Sequence, residues 1–131
     1  MRLLLDTHIV LWCLVDDPRL SDAARALMLD PEAEVCVSAA SIWEIAIKHA
    51  LARGRSDDMP ISGEQGLQWC RRAGYTIVPV TGEHAAAVGT LPRLHSDPFD
   101  RILVAQALHE PMRLLTRDAA VKAYHDTIIL V

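Results

Sequence analysis

The sequence predicts a three-layer α/β/α fold with a central parallel sheet of about five strands. Three observations predict it. Short apolar runs of strand type recur along the chain: RLLLD, EVCV, YTIVPV, RLLT and TIILV. Stretches with helical spacing stand between consecutive runs, and that alternation makes neighbouring strands parallel, with crossover helices on both faces. Apolar residues make up 51% of the chain and are mostly Ala, Leu, Val and Ile rather than aromatic, as helices packed on a sheet require.

Arg2–Asp6 reads as the first strand, and Thr7–Val15 follows at once as an apolar helix. Asp16-Asp17-Pro18 is a turn. Ser21 caps a second helix over Asp22–Leu29, which Asp30-Pro31 stops. Glu34–Val37 is the second strand. Ser38 caps a long helix running to about Ala52, closed by Arg53-Gly54. Arg55–Ser62 is a loop, Gly63–Ala73 a helix and Tyr75–Val80 the third strand. Thr81 caps a helix to Gly89, and Leu91–Ser96 is a loop. Asp97–Glu110 is a helix that Pro111 ends. Arg113–Thr116 is the fourth strand, Asp118–Tyr124 a short helix and Thr127–Val131 the last strand.

At 131 residues the chain reads as one domain, 1–131, long enough to bury most of a real core. Cys13, Cys36 and Cys70 are odd in number, far apart and form no CxxC, which argues against a disulfide scaffold or zinc ribbon and fits a reducing cytoplasm. No apolar run approaches the ~20 residues of a bilayer span. Asp6 and His8 interrupt the early apolar run before it can serve as a signal-peptide core. A net charge of −4 counts against nucleic-acid binding, since such proteins are usually basic. The objection weakens if several acids hold a divalent ion, which reverses the local field.

Four acids stand where the fold expects a ligand site. Asp6 closes a buried strand, and a carboxylate there is costly unless something pairs with it; capping of the next helix explains it equally well. Ser41, Glu44 and Lys48 step by three and four along an otherwise apolar helix, forming one narrow polar stripe. That stripe is either a solvated ion pair or the wall of a polar cleft in which Glu44 binds metal and Lys48 meets a phosphate. Asp97-Pro98 reads as an N-cap with proline at the first helical position. Asp100 heads the inward stripe of Leu103, Val104 and Ala107, so it should border a pocket. Asp118 follows Thr116 at the end of the fourth strand, where capping is again the competing reading. If the first strand is central, right-handed crossovers bring the carboxyl ends of strands one and four to the switch point, and all four acids converge. Such a set repels itself when empty and suits Mg²⁺ or Mn²⁺; no Cys or His is spaced for zinc.

DTH after the first strand, SIWEIAIK, DPFDRILVAQA and LLTRD together resemble the PIN-domain ribonucleases, and more narrowly the VapC-type toxins of VapBC toxin–antitoxin pairs. The resemblance covers nearly the whole chain and implies a PIN-like fold. It implies that Asp6, Glu44 and Asp100 are the core acids, Asp118 a fourth, more variable one, and Thr116 a supporting hydroxyl. Asp97 is then an extra acid of the DPFDR subgroup. It also implies hydrolysis of RNA with Mg²⁺ or Mn²⁺, inhibition by a VapB-type antitoxin, and a homodimer. Lys48 and Arg101 are the candidates to hold RNA phosphates; Arg117 reads better as a surface cation. His8 and His95 read as bystanders, because metal-assisted hydrolysis needs no imidazole base. The alternative is a non-catalytic α/β module. A signalling receiver wants paired acids after strand one, where Asp6 stands alone. A partner-binding module would use a groove formed by the first helices around Trp12, Leu20 and Leu27.

Overall fold

The computed structural model describes residues 1–131. Its elements are β1 (Arg2–Leu5), α1 (Thr7–Leu14), α2 (Asp22–Leu29), β2 (Glu34–Ser38), α3 (Ala39–Ala50), α4 (Gly63–Arg72), β3 (Thr76–Val78), α5 (Gly82–Ala87), α6 (Pro98–His109), β4 (Arg113–Thr116), α7 (Ala119–Lys122) and β5 (Ile129–Leu130), with a 3₁₀ turn at Val88–Thr90. The five strands form one sheet in the order β3-β2-β1-β4-β5, and every pairing is parallel. β1 is therefore central, with Leu4 in register with Cys36 on one side and Leu114 on the other.

Leu3, Leu4 and Leu5 are all fully buried, as a central parallel strand covered on both faces requires. Alternation along the strand divides them between two cores. Leu3 and Leu5 pack with Ile9, Val10, Val37 and Ile45 on the face of α1 and α3. Leu4 packs with Cys36, Leu103, Val104 and Leu114 on the face of α6. These are the three expected layers.

Three strands are shorter than the sequence suggests, β1 by the single residue Asp6. β3 spans three residues rather than Tyr75–Val80. The Tyr75 amide turns back to the Cys70 carbonyl, and Pro79 has no amide to donate to the ladder. β5 spans Ile129–Leu130 only, because the Ile128 amide closes a turn on the His125 carbonyl. The helix expected over 81–89 ends at Ala87 and tightens into the 3₁₀ turn, and α7 stops at Lys122. None of these changes moves the carboxyl edge of β1 and β4. The Asp6 amide donates to the Leu115 carbonyl at 3.0 Å and carries the ladder one residue past β1.

A carboxylate-rich candidate active site

Asp6 leaves β1 with its side chain turned along the start of α1, where Oδ1 accepts from the Ile9 amide at 2.9 Å. Capping and site membership are thus not rivals: one oxygen is fixed by the helix and the residue stays buried. Burial pushes its carboxyl above the usual range, partly offset by the Thr116 hydroxyl and the Ile9 amide. Thr116 is fully buried at the end of β4, and its Oγ1 accepts from the Asp118 amide at 3.0 Å. It therefore ties the two strand-end acids together.

Glu44 lies on α3 with its side chain 5% exposed. Lys48, one turn on, donates to Oε2 at 2.6 Å from a half-exposed position. The expected i,i+4 pair exists, but its acid is buried rather than on a solvated edge. Ser41, on the same stripe, is buried and accepts from the Thr7 hydroxyl at 3.0 Å, joining α3 to α1. Oε1 of Glu44 is buried with no hydrogen-bond partner. A buried carboxyl oxygen left without a partner is expensive, and it marks a place that a further ligand could fill.

The N-terminus of α6 supplies the third part. Asp97 Oδ1 accepts from the Phe99 and Asp100 amides at 2.8 and 3.2 Å, with Pro98 opening the helix, so Asp97 is an N-cap. Asp100 points inward. Burial pushes its carboxyl up to about 7, with further repulsion from Asp97, Asp6 and Glu44 and partial relief from His95. His95 lies between the later acids: Nε2 is 2.8 Å from Asp118 Oδ2 and 3.3 Å from Asp100 Oδ2. The Asp97 amide donates to His95 Nδ1 at 3.0 Å, which requires a lone pair there. The ring is therefore the Nε2–H tautomer, a donor to the carboxylates rather than a metal ligand through Nε2. The hydrogen bond to Asp118, with help from Asp100 and Asp97, pulls the His95 pKa up against burial. For Asp118, burial acts upward, but His95 and the Ala120 and Val121 amides outweigh it and leave the carboxyl below its ordinary value.

Asp100 and Asp118 thus present carboxylate oxygens within 4.8 Å of one another and of His95 Nε2, while the charges of Asp6 and Glu44 act on the same Asp100 carboxyl. The donors are carboxylate oxygens, and one of them is orphaned. That set fits a hard divalent cation. A second cluster, His84, His109 and Glu110, has ligand atoms equally close together. There Thr81 donates its amide to His84 Nδ1 at 3.0 Å, so Nε2–H donates to Glu110 at 2.9 Å and the group is a clip between α5 and the end of α6.

The cations and the groove depart from expectation. Arg101 does not reach the site. Its Nη1 and Nη2 donate to the carbonyls of Pro92, His95, Val88 and Leu91 and to the Tyr124 hydroxyl, and this pins the 88–96 loop. Its donors are spent on loop carbonyls and one hydroxyl, so in this structure it braces the loop. Arg117 is exposed and lines a pocket with Asp6, His8, Trp12 and Asp118. The apolar groove is not built by Leu20 and Leu27: Leu20 is in the core and Leu27 packs against it. Instead a cleft of about 710 Å³ runs between α1, α3 and the 56–60 loop, lined by Leu11, Trp12, Val15, Leu51 and Met59, and reaches Glu44 and Lys48. His95, which the sequence reads as a bystander, instead contacts two of the acids; an HxD spacing, which lets an imidazole accept from the amide two residues on, was the available signal for it.

The PIN domain family pattern matches residues 3–126 of the chain. The chain is 29% identical over 121 residues to Ribonuclease VapC22 of Mycobacterium tuberculosis, covering 92% of this chain and 90% of that protein. Its fold is similar to that in the crystal structure of VapBC2 from Rickettsia felis bound to a DNA fragment from their promoter, with a TM-score of 0.70 at 16% identity over 100% of this chain and 98% of that one. A toxin–antitoxin complex from Klebsiella pneumoniae is similar at a TM-score of 0.64 and 19% identity, covering 96% and 94%. The FitAcB crystal structure from Neisseria gonorrhoeae gives 0.62 at 19% identity, covering 98% and 96%.

Proposed function

The chain belongs to the PIN domain family, and from that premise and its acid cluster we propose that it is a metal-dependent endoribonuclease, the toxin of a toxin–antitoxin pair. The observation that carries the reading is the orphaned Oε1 of buried Glu44, a residue whose charge, with that of Asp6, acts on Asp100. Asp6, Glu44, Asp100 and Asp118 would hold Mg²⁺ or Mn²⁺. Such an ion, when bound, supplies Lewis-acid polarisation of the scissile phosphate and activates water at neutral pH.

The protein's own part is positional. The Ile9 amide fixes one oxygen of Asp6, the Ala120 amide fixes Oδ1 of Asp118 at 2.8 Å and His95 fixes Oδ2, so the acids cannot swing apart when they repel. Thr116 links Asp6 to the Asp118 backbone, and Asp97 holds the α6 terminus that aims Asp100. No side chain is placed as a covalent nucleophile, so water is the attacking group.

Asp6→Asn removes a central oxygen ligand and should lower RNA cleavage by more than about a hundredfold, with growth arrest on expression lost in parallel. Full activity in that variant, or undiminished activity in EDTA, would overturn the reading. The similar VapBC and toxin–antitoxin structures support a VapB-type antitoxin as partner. The cleft beside Trp12 suits an amphipathic helix from it. A homodimer and a cytoplasmic setting belong to the same reading. For the second, the support is three free thiols and the absence of any helix long and apolar enough to cross a membrane.

A further inference from the structure

A hydrolase of a polyanion whose own net charge is −4 needs a cation at the mouth of its acid site. Three cations line the acid pocket and the adjoining cleft: Arg19, Lys48 and Arg117. Two are already paired. The Arg19 fork sits on Asp17, with Nη2 2.7 Å from Oδ2 and Nε 3.1 Å from Oδ1. Lys48 sits on Glu44. Arg117 pairs with no carboxylate, although it directly precedes Asp118 and shares a pocket with Asp6 and Asp118.

What keeps Arg117 off those acids is visible. Its guanidinium carbon lies 5.5 Å from the centroid of the Trp12 indole. Nη1 donates to the Arg19 carbonyl at 2.9 Å, which leaves Nε and Nη2 without protein partners. Trp12 is itself almost fully buried, and Arg19 lies 5.1 Å from the same ring, so the platform is rigid. An arginine that closed on Asp6 or Asp118 would compete with the cation those acids are built to hold. One braced beside them is free to present its planar donor edge to two oxygens of an anion.

We propose that Arg117, braced on Trp12, is a phosphate-positioning residue that binds the RNA-backbone phosphate next to the scissile one. This rests on the ribonuclease reading above. RNA is favoured over an acidic peptide because Arg117 lies in the pocket of Asp6 and Asp118. The apolar residues Leu11, Val15, Leu51 and Met59, which suit a peptide, line the adjoining cleft on the far side of Trp12 and His8, and Arg117 is not among its lining residues.

The test is fluorescence anisotropy with a short, labelled, mixed-sequence single-stranded RNA, in Ca²⁺ and across a salt series, alongside steady-state cleavage in Mn²⁺. Arg117→Gln should weaken RNA binding about tenfold and reduce the slope of log affinity against log salt by about 0.7, the loss of one phosphate contact on a single strand. KM should rise with little change in kcat, and the melting temperature should hold. Arg117→Lys should keep the salt slope but not the full affinity, since a lysine retains the charge without the planar fork. An unchanged slope and KM in Arg117→Gln, in a protein whose wild type cuts RNA, would overturn this proposal alone. So would intact RNA binding with weakened antitoxin binding. A wild type that neither binds nor cuts RNA would overturn both this proposal and the ribonuclease reading.

Discussion

Asp100 concentrates the electrostatic tension of the site. Burial and the neighbouring acids Asp97, Asp6 and Glu44 hold its carboxyl at about 7 in the folded protein, against 3.8 in an unperturbed aspartate. Between those values the folded state binds the proton more tightly than the unfolded one, so stability falls as pH rises. The contribution is fully present below 3.8 and is lost as pH climbs through about 7. Asp100→Asn lacks that titration. The melting temperature of the metal-free variant should therefore exceed that of wild type by an amount that grows from pH 4 to pH 7.5; a difference constant across that range would refute the assignment. The candidate acids drew notice in the sequence for local reasons: Asp6 and Asp118 follow strand ends, Asp100 stands in the first turn of α6, and Glu44 interrupts an otherwise apolar helix. The surroundings of Arg101 and His95 were not legible there. Their roles depend on where a side chain meets a distant loop or ring, and spacing along the chain carries no record of that.

At the scale of elements, the placement of Glu44 depends on how closely α4 approaches α3. A Cβ built on Gly63 would lie 2.6 Å from the Ala46 Cβ and 3.2 Å from its Cα, so the first turn of α4 can rest on α3 only with glycine there. The Ser62–Gln65 capping box fixes that same turn, with the Gln65 amide donating to Ser62 Oγ at 3.1 Å and the Ser62 amide to Gln65 Oε1 at 3.0 Å. Gly63→Ala should destabilise the protein by about 1–3 kcal/mol, because backbone rather than a flexible side chain must move. Urea unfolding measures this, and a variant as stable as wild type would show that the two helices can part at no cost. The elements themselves were legible in sequence, down to the boundaries of α2 and β4, because serine caps and proline stops act locally. The close approach was not, since Gly63 and Ala46 meet only in the folded chain.

At the scale of the whole molecule, one topological fact assembles the site. With β1 at the centre and β4 beside it, the carboxyl ends of the two strands and the heads of α6 and α7 meet at one edge. This much followed from alternation and right-handed crossovers before any distance was known. The consequence is a protein whose fold opposes its own charge distribution, since packing forces together acids that repel. A divalent cation bound among Asp6, Glu44, Asp100 and Asp118 should then stabilise the fold as well as enable chemistry. Linkage sets the size: about 2.7 kcal/mol at a hundredfold excess over Kd, a rise of several degrees in melting temperature for a domain of this length. Mn²⁺ titrated into the EDTA-treated protein should give that rise, and Glu44→Gln should give much less, having lost the oxygen that now has no partner. General screening by NaCl at matched ionic strength also eases repulsion, but it acts on the variant and wild type alike. Equal stabilisation of the two proteins by Mn²⁺ would mean that the acids share only a diffuse field and that no ion is held among them.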